Sequence, residues 1–198
     1  MAHIDYYLFT LSPFTYLAGL ELESIAEKHG ASITYKPMAL MDVFERTGGT
    51  PPAKRHESRK AYRAQELPRI AKMNNIAITP QPAHWPTNAA PSCYAIIAAQ
   101  KAGGGDLGGL VHSILRACWL EDKDIAEASV IQECLAANGF DPALSDSGLL
   151  ESAEEFSVNT EEAISRNVFG APSYVVGDQV FWGQDRLSYL DAHLKEIG

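Results

Sequence analysis

His3-Ile4-Asp5-Tyr6-Tyr7-Leu8-Phe9-Thr10-Leu11-Ser12-Pro13-Phe14-Thr15-Tyr16-Leu17 carries the signal that decides the fold of this 198-residue chain. The run from His3 to Thr10 is rich in aromatic and branched side chains, which suits a buried strand. Ser12 then suits the N-cap of a helix and Pro13 its first residue, because proline has no N–H to leave unpaired and a φ already set for a helix. Leu17, Leu20, Ile25 and Ala26 recur at helical spacing, which predicts one helix from Pro13 to Gly30. A second strand is expected over 31–37. Strand, helix and strand with a connection of this length imply a right-handed crossover and two parallel strands. The junction sets the Ser12 hydroxyl at a helix N-terminus, where unpaired N–H groups and the positive dipole end favour an anion such as a thiolate.

Outward from this unit the pattern changes. From about 41 to about 150 the strand signal fades and helical stretches are predicted over 92–101, 107–120 and 129–138, the last ending at Gly139, with a restart at Asp141-Pro142. A further helix is expected over 152–167. Two short strand-like runs follow, Ser173–Val176 and Gln179–Trp182, separated by the hairpin signal Gly177-Asp178, and a last helix over 185–196. With the middle set aside, this is the element order of a thioredoxin fold. The expectation is an α/β, thioredoxin-like fold with a large all-helical insertion: 1–40 and 153–198 form the thioredoxin-like part, and 41–152 the inserted helices.

Composition is ordinary for a globular chain, with 46% hydrophobic and 21% charged residues, and the length suits one compact unit. Sixteen basic against 25 acidic residues give a net charge of -9, which argues against a broad footprint for nucleic acid or anionic lipid. Lys54, Arg55, Arg59, Lys60, Arg63, Arg69 and Lys72 nevertheless share one stretch, leaving room for a small anionic ligand. The three cysteines, Cys93, Cys118 and Cys134, are odd in number and widely spaced among apolar residues. They read as core thiols rather than a disulfide framework or a zinc site, and no metal is expected. No apolar run approaches a membrane span and the first residues do not read as a signal peptide, so a soluble cytoplasmic protein is expected.

Leu11-Ser12-Pro13-Phe14-Thr15-Tyr16-Leu17, Val168-Phe169-Gly170-Ala171-Pro172 and Phe181-Trp182-Gly183-Gln184-Asp185-Arg186-Leu187 together resemble the 2-hydroxychromene-2-carboxylate isomerase family. That family groups with the kappa-class glutathione transferases and the DsbA-like thioredoxin folds, and the resemblance spans essentially the whole chain. In thiol oxidoreductases of this fold the active turn carries Cys-x-x-Cys; here Ser12 and Thr15 stand there, so no protein-borne pair can exchange disulfides. The resemblance therefore implies a borrowed thiol, glutathione. Ser12 would be the catalytic residue, donating a hydrogen bond to the glutathione sulfur. Pro172 would be a cis-proline, and the backbone of Ala171 would pair with the cysteinyl unit like an added strand. Trp182, Gly183, Gln184 and Asp185 would hold the γ-glutamyl end, N–H groups taking its carboxylate and Asp185 its ammonium.

For the second substrate, a small anionic aromatic acid, the resemblance points to Lys54 and Arg55 as countercharges, with Arg59 and Lys60 next on the same predicted helix. Trp85, in the Pro-rich loop 84–88, would wall the pocket, while Trp119 and Tyr94 read as core. Each residue also has a plainer reading. Ser12 and Asp185 are good helix caps, a basic run is commonly a solvated helix face, and a tryptophan is commonly core. The implied activity is glutathione-dependent interconversion of 2-hydroxychromene-2-carboxylate and trans-o-hydroxybenzylidenepyruvate by reversible thiolate addition, in a homodimer. A kappa-class-like transferase conjugating small electrophiles and a non-catalytic glutathione-binding module are the alternatives. A protein disulfide oxidoreductase is disfavoured by Ser12 and Thr15.

Overall fold

β1 (His3–Leu8) runs through the middle of a four-stranded sheet of order β2-β1-β3-β4. β2 (Ser32–Pro37) lies parallel on one side, and the hairpin of β3 (Ser173–Val176) and β4 (Gln179–Trp182) antiparallel on the other. The computed structural model describes residues 1–198. Alternation along β1 divides its side chains between two cores, as the two-residue period of a strand requires. Ile4, Tyr6 and Leu8 enter the larger cluster of 35 buried residues, whereas Tyr7 joins Val175, Met38 and Val168 in a smaller one of nine. Tyr6 sits opposite Tyr35 and Tyr174 in register, and the ring centroids lie 5.6 and 5.1 Å away.

The predicted helix after Ser12 is two helices. α1 spans only Pro13–Leu17, and α2 spans Glu21–His29. Gly19 between them adopts φ +62, a left-handed conformation that glycine takes without strain. The Leu17 carbonyl, at the end of α1, accepts a hydrogen bond from Asn74 Nδ2 at 3.0 Å, so the helix end is closed by a side chain 57 residues away. Leu17, Leu22, Ile25 and Ala26 still reach the larger core.

Six helices follow: α3 (Leu40–Thr47), α4 (Glu57–Met73), α5 (Ala90–Ala102), α6 (Leu107–Trp119), α7 (Ala128–Ala137) and α8 (Leu149–Ser165). Asp141-Pro142 begins only a 3₁₀ turn, Pro142–Ser145. After the hairpin, a 3₁₀ turn at Gln184–Arg186 leads into α9 (Leu187–Ile197). The larger core takes Ile96, Leu110, Ile114, Trp119 and Leu135 from the helical segment and Leu187, Leu190 and Leu194 from α9, so helices and sheet share one interior. On the other side of β1, Asp5 meets Arg166 at 2.6 Å and Lys36 at 3.2 Å, and Lys36 also meets Glu162 at 2.6 Å, joining β1, β2 and α8. No helix is long and apolar enough to cross a membrane.

Candidate active site

The turn between β1 and α1 is held from three sides. Ser12 N–H closes it on the Phe9 carbonyl at 3.0 Å. Thr10 Oγ1 accepts from Ser92 Oγ at 2.9 Å and lies 3.5 Å from Cys93 Sγ, which ties the turn to α5. The Leu11 carbonyl accepts from Trp85 Nε1 at 3.0 Å. Ser12 caps α1, its Oγ accepting from Thr15 N at 3.2 Å, and donates to the Ala171 carbonyl at 3.2 Å. Capping and facing the proline loop are therefore both met by one hydroxyl.

Among the first donors of α1, Pro13 has none, Thr15 N–H goes to Ser12 Oγ, and Tyr16 N–H to the Ser12 carbonyl. Phe14 N–H is left without an acceptor, and it is the donor that an anion at Ser12 would meet. The break at Gly19 leaves α1 five residues long. Little is lost by this, because the dipole effect falls off within the first turn. Thr15 is buried and its Oγ1 has no partner.

The Ala171–Pro172 peptide is cis. So is Trp85–Pro86, for which the sequence offered no signal. Gly183 has φ +114 and its N–H donates to the Pro172 carbonyl at 2.9 Å, so this N–H is not free for a carboxylate, contrary to expectation. Gln184 and Asp185, which open the 3₁₀ turn, carry the donors that remain. Asp185 does not cap α9; Arg186 occupies that position, and the Asp185 carboxylate pairs with Arg186 Nη1 at 2.6 Å while staying largely in solvent. Trp182 is exposed, packs edge-on against Phe169 at 4.8 Å between centroids, and covers Gly170 so closely that a Cβ there would fall 2.2 Å from its Nε1.

The basic stretch is arranged differently from the single predicted helix. Lys54 ends a 3₁₀ turn, Pro52–Lys54, Arg55 is extended, and His56 caps α4 through its ring nitrogen; only Arg59, Lys60 and later residues lie on α4. Lys54 is exposed, whereas Arg55 is half-buried with its guanidinium over the Phe44 ring. Trp85 is half-buried and tilted against the fully buried Trp119 at 5.7 Å. Arg63, which nothing in the basic run sets apart from its neighbours, stands over both indoles. A hollow of about 440 Å³ beside α9 and a groove of about 530 Å³ along α8 are lined by none of these residues.

All three cysteines are free and buried. Burial pushes the Cys93 thiol up to about 11, Cys118 to about 12 and Cys134 to about 11. None is a source of thiolate near neutral pH, so sulfur chemistry at Ser12 needs a thiol from outside the chain.

The model of the DSBA-like thioredoxin domain matches residues 3–195. A 2-hydroxychromene-2-carboxylate isomerase of Sphingobium xenophagum is 28% identical over 194 residues, covering 96% of this chain and 97% of the relative. The solved structure of a 2-hydroxychromene-2-carboxylate isomerase superposes with a TM-score of 0.80 at 25% identity, covering 98% of this chain and 95% of that one. The cytosolic disulfide reductase DsbM of Pseudomonas aeruginosa, solved with GSH, shares the fold at a TM-score of 0.68 and 18% identity over 98% of this chain and 99% of that one. The chain belongs to the DSBA-like thioredoxin domain family, and within it is similar along nearly its whole length to 2-hydroxychromene-2-carboxylate isomerases.

Proposed function

We propose that the protein is a glutathione-dependent isomerase interconverting 2-hydroxychromene-2-carboxylate and trans-o-hydroxybenzylidenepyruvate, with Ser12 as the residue that holds the sulfur. The observation that carries this reading is the Ser12 hydroxyl, 3.2 Å from the Ala171 carbonyl, at a helix-opening turn that has no cysteine of its own. Its relatives carry the isomerase name, and a disulfide reductase of the same fold was solved with GSH.

Glutathione, when bound, would supply a thiolate for reversible addition to the conjugated carbon–carbon double bond once the hemiketal C–O bond of the ring has opened to the phenol and ketone, the carbon–sulfur bond breaking again to give back the thiolate. The chain's own residues fit a tripeptide thiol. Rotation of the Ser12 hydroxyl away from Ala171 gives the sulfur a donor and frees the Ala171 carbonyl for an amide N–H, so one movement satisfies both partners. Phe14 N–H adds a second donor beside the sulfur. Gln184 and Asp185 offer backbone N–H groups for the γ-glutamyl carboxylate, and the exposed Asp185 carboxylate can exchange Arg186 for the ammonium. Lys54 and Arg55 stabilise the negative charge that develops on the acid, and Trp85 keeps water from that side.

The test follows the ring-opened pyruvate by its absorbance, with and without glutathione, in wild type and Ser12→Ala. Turnover that depends on glutathione and falls in Ser12→Ala is expected. Turnover indifferent to glutathione rejects the reading.

A further inference from the structure

The seven basic residues between Lys54 and Lys72 divide by what they touch. Lys60 pairs with Glu57 at 2.8 Å and Arg69 with Glu66 at 3.3 Å, while Lys54, Arg59 and Lys72 are open to solvent. Arg55 and Arg63 are half-buried, and no carboxylate comes within 4.0 Å of either. Arg55 keeps one contact, its Nε donating to the Thr50 carbonyl at 2.8 Å. The Arg63 guanidinium stands 5.0 Å from the centroid of the Trp85 ring and 5.9 Å from that of Trp119.

A guanidinium withdrawn from water ordinarily takes a carboxylate partner, and one that has none is an incomplete arrangement. The indole faces compensate part of the charge but accept none of its N–H donors. Burial, and next the charge of Arg55, weakens the hold of Arg63 on its proton, as expected of a cation that lacks its anion. Arg63 is also close to the chemistry, since the Trp85 ring beneath it is the one whose Nε1 holds the Leu11 carbonyl next to Ser12.

We propose that Arg63, assisted by the charge of Arg55, receives the carboxylate of a planar aromatic acid against Trp85, and so selects anionic over neutral substrates. Arg63 is the anchor, presenting a bidentate fork, and Arg55 is its helper. Lys54, the exposed cation, acts on the charge that develops during the reaction and not on this preference. The inference rests on the reading of the Ser12 turn as the reaction site, and its test reads binding, with turnover used only to tell a failure of the one from a failure of the other.

Calorimetric titration of the protein with trans-2-hydroxycinnamate and with its methyl ester provides that test. Wild type is expected to bind the acid about tenfold or more tightly than the ester. Arg63→Gln abolishes that preference, Arg63→Lys keeps part of it, having charge without the fork, and Lys60→Gln keeps all of it. Equal wild-type affinity for acid and ester, or full preference in a folded Arg63→Gln, overturns the inference. Should Arg63→Gln fail to fold by circular dichroism, Arg55→Gln decides: a reduced preference supports the pair, an unchanged one overturns it. A wild type that turns over with glutathione yet shows no anion preference would sink the anchor alone. Preference kept while turnover ignores glutathione would sink the thiol reading alone.

Discussion

Replacing Ser12 by alanine removes two hydrogen bonds of 3.2 Å, one accepted from Thr15 N and one donated to the Ala171 carbonyl. The lost cap costs about 1 kcal/mol and the unpaired buried carbonyl about 1 kcal/mol more. For a chain of this length that lowers Tm by about 4–8 °C. The chemical effect is separate from this. A hydrogen bond to a charged partner contributes about 1.5–3 kcal/mol, so its loss raises the pKa of the bound thiol by about 1–2. The pH profile of kcat/KM is the assay: below the thiol pKa, Ser12→Ala should turn over about ten- to a hundredfold more slowly, and its rising limb should move to higher pH. Ser12→Thr retains a hydroxyl and should stay much nearer wild type. A variant with lowered Tm but an unmoved pH limb would show Ser12 to be a helix cap and nothing more.

Two further expectations concern the core. Glu23 is largely buried on α2; its Oε1 accepts from Tyr35 Oη at 2.8 Å, its Oε2 has no partner, and burial raises its carboxyl above the ordinary 4.5. A raised folded-state value means that the stability tied to its proton is fully present below the unfolded value and is lost as pH rises through the folded one. Glu23→Gln should therefore raise Tm at neutral pH by about 2–4 °C, for about 1 kcal/mol, with the gain vanishing near pH 4 in differential scanning calorimetry. Asp5→Asn leaves Arg166 and Lys36 facing a neutral amide at a side chain only 13% exposed. Urea titration should give a loss of about 2–3 kcal/mol, and an unchanged midpoint would mean that the cluster contributes nothing net.

Much of the framework was legible in the residues. The hairpin strands coincide with the observed β3 and β4, because glycine at Gly177 leaves little choice of turn. The single helix expected after Ser12 is broken for a physical reason: Leu17, Leu20, Ile25 and Ala26 keep helical spacing across the break, while the side chain that closes α1, Asn74, belongs to another helix's end. The site divides in the same way. Ser12 is marked locally by Pro13, whereas nothing local marks its hydrogen bond to the Ala171 carbonyl, 159 residues away; the resemblance implies only that both residues face a bound tripeptide. Nothing local distinguishes Arg63 from Arg59 or Lys60 on α4; only packing puts two tryptophans beneath one of them. Nothing local marks the Gly183 N–H as taken, because its partner, the Pro172 carbonyl, lies across the hairpin.

The turn that bears Ser12 is gripped at one end by Trp85, through the Leu11 carbonyl, and at the other by Asn74, through that of Leu17. Both grips come from the helical segment and not from the sheet. A chimaera that exchanges this segment to broaden the range of acids accepted will thus displace the hydroxyl as well, unless Asn74 and Trp85 are carried over. By the same route, drift among the helices can retune the nucleophile's surroundings in descendants whose Ser12 never changes.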